Sequence, residues 1–179
     1  MSFLEGLFGP PNIRKMKAKR NIEGLSEVLR RHRKTEIRIA AAEALGDLKD
    51  PAACPSLIDS LGHFDQESAV RSALVKIGGP AVKGLCDSLN TLKHKSSFTN
   101  ACKSAAEVLG KIGDKGAVET LIEVLGDRVA HLWVRQAAAE ALGNIGDARA
   151  LGALCAALDE ESKTWDLRQI GRASCRERV

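Results

Sequence analysis

The sequence WVRQAAAEALGNIGD, which spans residues 133–147, decides the fold of this chain. Its small and apolar residues recur at helical spacing, and the Gly-Asp pair at its end is typical of a helix stop followed by a new helix cap. Edited copies occur as IRIAAAEALGD (37–47), SAVRSALVKIG (68–78) and ACKSAAEVLGKIGD (101–114), and WDLRQ (165–169) begins one more. The stretch is therefore one unit of an internal repeat.

The copies are spaced almost evenly along the chain. Their closing leucines are Leu45, Leu74, Leu109 and Leu142, which are separated by 29, 35 and 33 residues. A period near 33 residues is the signature of stacked structural repeats, in which each unit buries its apolar side against the next.

A second pattern, Leu-x-x-x-Leu, precedes each copy. A step of four residues puts both leucines on one face of a helix. The pairs are Leu25/Leu29, Leu57/Leu61, Leu85/Leu89, Leu121/Leu125 and Leu154/Leu158. Each repeat is thus predicted to be two amphipathic, antiparallel helices, and the chain an all-α solenoid of about five such repeats with the last one truncated.

The repeat pattern divides the chain into three parts. Residues 1–20 are predicted to be an N-terminal cap segment, because a terminal repeat otherwise leaves an apolar face in water. The array follows over 21–169, as repeats 21–49, 50–78, 79–113, 114–146 and 147–169. The last ten residues, IGRASCRERV (170–179), resemble a translated sequencing adapter, and we expect this tail to be non-native.

Polar residues mark the predicted helix ends. Asn12 and Asn21 are expected to cap helices, and Asp50-Pro51 combines a capping carboxylate with a proline at the first helical position. The pair Gly46-Asp47 is expected to end the second helix of the first repeat. Residues 90–98 are longer than the corresponding segment in other repeats and are expected to be an inserted loop.

Composition argues against several classes of protein. Aromatic residues make up 3% of the chain and tyrosine is absent. No apolar run reaches the length of about 18 residues that a membrane span needs, so a soluble, cytoplasmic protein is predicted. None of the five cysteines lies in a Cys-x-x-Cys pair, and Cys86 and Cys155 are expected to be small buried hydrophobic residues.

Positive charge is concentrated near the N-terminus, where residues 12–38 hold ten cationic and three anionic side chains. The segment is either a solvated cap or a patch that binds an acidic partner, nucleic acid or an anionic membrane surface. Nucleic acid is the less favoured ligand, because no aromatic side chain lies inside the patch to stack on bases. The candidate residues are Arg14, Lys15, Lys17, Lys19, Arg20, Arg30, Arg31, Arg33 and Lys34.

Taken together, the paired helices, the VRxAAxALGxIGD pattern and the step of about 33 residues resemble HEAT-repeat proteins of the short-repeat subtype named after phycobilisome lyases. The resemblance implies an interaction scaffold or, alternatively, a bilin lyase-like protein. Iron-dependent hydroxylases of this kind carry His-Glu pairs, whereas the residues after His32, His63, His94 and His131 are Arg33, Phe64, Lys95 and Leu132. No metal, cofactor or catalytic residue is therefore predicted.

An arginine begins the second helix of several repeats, as Arg38, Arg135 and Arg168, but Glu67 and Cys102 replace it in repeats two and three. Solenoids offer an extended concave surface, and tryptophan and arginine are effective binding anchors. We therefore predict a protein partner on the concave face, with Trp133 and Trp165 as either anchors or plugs over the next repeat. The predicted contacts are Arg38, Trp133, Arg135, Gln136, Trp165 and Arg168.

Overall fold

The structure is a computed structural model that describes residues 12–159. This part of the chain is built of α-helices joined by short turns and 3-10 turns and contains no strand. The all-α solenoid predicted from the repeats is confirmed. Several predicted features lie outside the described residues, namely residues 1–11 of the predicted cap, Trp165, Arg168 and the tail at 170–179.

Ten helices follow one another along the described chain. They are α1 (Ile13–Ala18), α2 (Ile22–Arg31), α3 (Thr35–Leu48), α4 (Cys54–Asp59), α5 (Glu67–Ile77), α6 (Val82–Leu92), α7 (Thr99–Ile112), α8 (Val118–Gly126), α9 (Leu132–Ile145) and α10 (residues 151–159). The pairs α2/α3, α4/α5, α6/α7 and α8/α9 are the first four repeats, and α10 is the first helix of a fifth.

The first helices of the repeats carry the leucine pairs into the core. Both leucines of α2 and of α6 are fully buried, and those of α8 are at most 4% exposed. In repeat two, Leu57 of α4 is fully buried, and Leu61, two residues after the end of that helix, is 6% exposed. Burying a leucine contributes roughly 1.5–3 kcal/mol. The pair in α10 is the exception, because Leu154 is only partly buried and Leu158 is 67% exposed.

The second helices pack against one another through small residues. A Cβ atom built on Gly46 of α3 lies 2.6 Å from the Cα atom of Ala73 in α5, and one built on Gly110 of α7 lies 2.7 Å from the Cα atom of Ala141 in α9. Only glycine permits such an approach of two helix backbones. The first and third interfaces between repeats are therefore closely packed.

The interface between the second and third repeats is built differently. Val75 and Val108 occupy the positions that the glycine and alanine hold at the other two interfaces. Larger side chains keep helix backbones apart, and α5 and α7 are accordingly in less extensive contact than α3 and α5 or α7 and α9.

Aspartates cap the joints between repeats as the sequence predicted. Asp50, Asp114 and Asp147 each accept a hydrogen bond from the backbone N–H two residues later, at 2.8–3.0 Å. Gly113 and Gly146 end α7 and α9 in the left-handed conformation, which glycine adopts without strain.

Two of the predicted helix ends were wrong. Gly46 and Asp47 lie inside α3, which ends at the left-handed Lys49, because Gly46 serves the contact with Ala73 and not the helix stop. The segment 90–98 is not an open loop, since α6 continues to Leu92 and Ser96–Phe98 form a 3-10 turn.

The cysteine expectation holds for Cys86, which is buried, and fails for Cys155, which is exposed. Cys155 lies on α10, the last described helix, and no described second helix covers this helix. The same reason accounts for the exposure of Leu158.

Candidate interaction surface

The second helices present one mostly polar stripe that is exposed or partly exposed to solvent. Its members recur at helical spacing in each repeat, so that they share one face, and Asp65 lies in the turn just before α5. We call this set the stripe: Glu36, Ile39, Glu43 and Asp47 in repeat one; Asp65, Ser68, Ser72 and Lys76 in repeat two; Asn100, Lys103, Glu107 and Lys111 in repeat three; and Trp133, Gln136, Glu140 and Asn144 in repeat four.

A groove between α7 and α9 lies on this stripe, with a volume of about 360 Å³. Trp133 stands at its edge with 57% of its surface exposed. The rest of the lining is mostly polar and consists of Asn100, Lys103, Glu107, Gln136, Ala137 and Glu140. We call this the Trp133 groove.

Contacts at the start of α9 fix the position of Trp133. His131 is the N-cap residue, and its Nδ1 atom accepts a hydrogen bond of 3.3 Å from the backbone N–H of Trp133. The two rings also touch, with centroids 4.9 Å apart and planes tilted by 51°. The indole is thus held in place and still presents more than half of its surface to solvent.

A second groove, between α3 and α5, has a volume of about 400 Å³. Phe64, in the turn before α5, lines it and is 79% exposed. The other lining residues include Ile39, Glu43, Asp47, Asp65 and Lys76. We call this the Phe64 groove. Phe64 was not predicted as a contact, although an aromatic residue in a polar turn was a visible signal in the sequence.

The two described arginines of the predicted site hold their own repeats together. Arg38 Nη1 donates to the carbonyl of His32 at the end of α2, at 2.7 Å, and Arg135 Nε donates to the carbonyl of Leu125 near the end of α8, at 2.8 Å. Both side chains thus satisfy carbonyls that a helix end leaves unpaired. Arg38 also pairs with Asp65 and donates to Gln66.

Repeats two and three, which lack this arginine, have a different set of polar contacts. Ser104 donates to Glu67, and Arg71 pairs with Glu107 across the α5/α7 interface. The Nε atom of Arg71 is buried without a hydrogen-bond partner. The signal in the sequence was Arg71 itself, because the other described second helices have alanine at that position.

Ion pairs within the protein neutralise part of the N-terminal basic patch. Lys17 pairs with Asp47 at 2.7 Å, Arg20 pairs with Asp50 at 3.6 Å, and both Arg30 and Arg31 pair with Glu27. The patch residues that form no ion pair with another described residue are Arg14, Lys15, Lys19, Arg33 and Lys34.

Asp47 connects the cap helix to two repeats, since Lys76 of α5 binds its second oxygen at 2.7 Å. Hydrogen bonds from Lys17 and Lys76 lower the pKa of this carboxyl to about 2. A carboxylate whose pKa is lowered by folding stabilises the protein above its unfolded pKa of about 4, and that stabilisation is lost as the pH falls through the folded pKa.

Replacing Asp47 with asparagine should therefore destabilise the protein at neutral pH and have a smaller effect in acid. We expect a loss of about 1 kcal/mol or less, since solvent screens this partly exposed pair. Urea denaturation at about pH 6 and about pH 3 measures the difference. Asp87→Asn, on the exposed side of α6, is the matched control, and an Asp47→Asn effect that does not shrink in acid would contradict the ion-pair role.

The four histidines lie in the turns between paired helices. His94 Nε2 is 2.6 Å from an oxygen of Asp127, and this contact lowers the pKa of that aspartate. Within residues 12–159, no group of three His, Cys, Asp or Glu side chains is arranged to hold a metal ion. Burial raises the pKa of the Cys102 thiol to about 11, which leaves it protonated and unreactive at neutral pH.

Comparison with known families agrees with this architecture. The HEAT repeats family model matches residues 22–93 and 89–174. This chain belongs to the HEAT-repeat family. The HEAT match covers all four described helix pairs, and no curated protein is matched. No helix among the described residues of this HEAT-repeat protein is both long and apolar enough to cross a membrane.

Proposed function

We propose that this HEAT-repeat protein is a non-catalytic interaction module that binds a protein partner along the stripe. The observation that carries the proposal is Trp133, a large aromatic side chain held in place and 57% exposed at the edge of a groove. Exposed tryptophans in grooves are typical binding hot spots. Gln136 lines the same groove. Arg135 binds a carbonyl of its own repeat, and Arg38 binds a carbonyl of its own repeat and side chains of the next.

Site-specific photo-crosslinking tests this proposal. A photoreactive amino acid replaces Gln136 in the Trp133 groove, and a matched variant carries it at Glu123, an exposed position on α8 outside the stripe. In a lysate of the source organism we expect a discrete crosslinked partner from position 136 only. Adding Trp133→Ala should weaken the adduct roughly tenfold or more, because hot-spot side chains contribute about 2 kcal/mol.

A folding control is needed to interpret the effect of Trp133→Ala on crosslinking. Trp133→Ala is expected to leave the far-UV circular dichroism and the unfolding midpoint nearly unchanged, since the side chain is mostly exposed. Equal crosslinking from positions 123 and 136, or an adduct that survives the loss of Trp133, would contradict the proposal.

The remaining free cations of the basic patch support a second candidate function, which is binding of nucleic acid or another anionic surface. This hypothesis predicts that a DNA duplex shifts in a gel at low salt and is released steeply as salt rises. The phycobilisome-lyase-like subtype suggests a third, bilin attachment, which a change in the absorption spectrum of an added bilin would support. Trp133→Ala should change neither nucleic-acid binding nor bilin attachment, whereas it should weaken binding of the protein partner.

A further inference from the structure

The stripe carries an excess of carboxylates that have no cation beside them. Glu36, Glu43 and Glu140 are exposed and form no ion pair with another described residue. Among the lysines of the stripe, Lys76 pairs with Asp47 and Lys103 pairs with Glu107. Within residues 12–159, Lys111 is therefore the only stripe lysine that forms no ion pair with another described residue. Three carboxylates and one lysine of the stripe are thus left without an ion pair, so the unpaired charge of the stripe is acidic on a chain whose formal net charge is +4.

Two of these carboxylates, Glu43 and Glu140, form a row with the ion-paired Glu107. Glu43, Glu107 and Glu140 each lie two residues before the closing leucine of their repeat, and Ser72 takes that place in repeat two. Neighbouring repeats stack about 10 Å apart, and an extended chain advances roughly 3.3 Å per residue. A strand-like segment laid along the stripe therefore meets a new repeat about every third residue.

Both grooves place an aromatic ring next to carboxylates. Trp133 shares its groove with Glu140, which forms no ion pair with another described residue, and with Glu107, which Arg71 and Lys103 already neutralise. Phe64 shares its groove with Glu43, which also forms no ion pair with another described residue. A cation over an aromatic face is attracted by roughly 0.5–2 kcal/mol, and a neighbouring carboxylate adds a charge-assisted hydrogen bond. An arginine or lysine side chain satisfies both groups at once.

We propose that the partner segment is an extended, basic peptide that places one arginine or lysine in the Trp133 groove and another in the Phe64 groove. This inference deepens the proposed function and rests on it. The two grooves are separated by two repeat steps, roughly 20 Å, so the two basic residues are about six residues apart in the extended segment.

The test uses the full chain and three fluorescein-labelled peptides that repeat Gly-Ser-Arg, Gly-Ser-Glu or Gly-Ser-Gln. Fluorescence anisotropy measures their dissociation constants. We expect the arginine peptide to bind and the glutamate peptide to bind at least tenfold more weakly, which is the opposite of what the net charge of the whole chain favours. Raising the salt concentration should weaken the arginine complex.

Matched variants locate the site. Trp133→Ala should weaken arginine-peptide binding about tenfold, and Glu140→Gln should weaken it several-fold. Glu123→Gln removes the same charge from α8, outside the stripe, and is expected to leave binding unchanged. Equal losses from Glu123→Gln and Glu140→Gln, or equal binding of the three peptides, would overturn the inference.

The inference and the proposed function fail in different ways. If position 136 crosslinks to a partner in a Trp133-dependent manner but the arginine peptide does not bind, the interaction surface stands and its basic ligand is wrong. If the arginine peptide binds and Trp133→Ala has no effect, the inference is wrong, because the acidic attraction then lies elsewhere, whereas the proposed function is still decided by the crosslinking from position 136.

Discussion

Replacing Leu89 with alanine is expected to lower the free energy of unfolding by about 2–5 kcal/mol. Leu89 is the second leucine of α6 and is fully buried between its own second helix and the neighbouring repeats. The substitution removes buried methyl groups and leaves a cavity that the stacked helices cannot close without losing other contacts. Urea denaturation followed by far-UV circular dichroism measures the loss.

Leu158→Ala is the matched control, because Leu158 is the second leucine of α10 and is 67% exposed. The same chemical change should cost less than about 1 kcal/mol there, since little apolar surface is lost from the core. Equal losses at the two positions would contradict the difference in burial between α6 and α10.

Gly110→Ala is the second substitution with a large expected effect. A Cβ atom at this position lies 2.7 Å from the Cα atom of Ala141 and 3.0 Å from its Cβ atom. Helix α9 must move away from α7 to accept it, and overpacking of this kind costs about 1–3 kcal/mol. This loss exceeds the gain of about 1 kcal/mol that alanine normally brings to a helix interior.

Gly143→Ala is the internal control, because Gly143 follows the closing leucine of repeat four as Gly110 follows that of repeat three. No described atom lies within 4 Å of a Cβ built there. Without a clash, only the helix propensity acts, and we expect a gain of up to about 1 kcal/mol. Thermal and urea unfolding of both variants should therefore change in opposite directions, and a gain at Gly110 would refute the close approach of α7 and α9.

The contact of Gly110 with Ala141 connects stability to the candidate site. In a solenoid, each repeat is held mainly by its neighbours, so a shift of α9 against α7 also changes the width of the Trp133 groove between them. Gly110→Ala is accordingly expected to weaken binding at that groove even though residue 110 is buried. Leu89→Ala acts on the core of repeat three and lacks this direct connection.

The architecture could be predicted because it follows from local patterns. The leucine pairs, the alanine-rich second helices and the aspartate caps are properties of sequence spacing, and they report helix faces and helix ends directly. The same patterns misplaced the end of α3, because Gly46-Asp47 looks like a stop although the glycine serves packing. Cys155 was predicted to be buried for a similar reason. Its position in the repeat indicates which face of the helix it lies on, but not whether another helix covers that face.

The candidate site was predicted only in part. Trp133 and Gln136 were named from the sequence, and they line one groove of the stripe. Phe64 and the carboxylates Glu43 and Glu140 were missed, because their significance depends on side chains that are far away in sequence.

By itself, the sequence determined that this chain is a stack of helical hairpins, since that follows from the period and from residues a few positions apart. Only the tertiary structure decided what each polar side chain does. Arg38 and Arg135 bind carbonyls in their own repeats, and Arg71 pairs with Glu107 across an interface that lacks the glycine contact. Such partnerships depend on the distance between helices, which is set by packing and not by spacing along the chain.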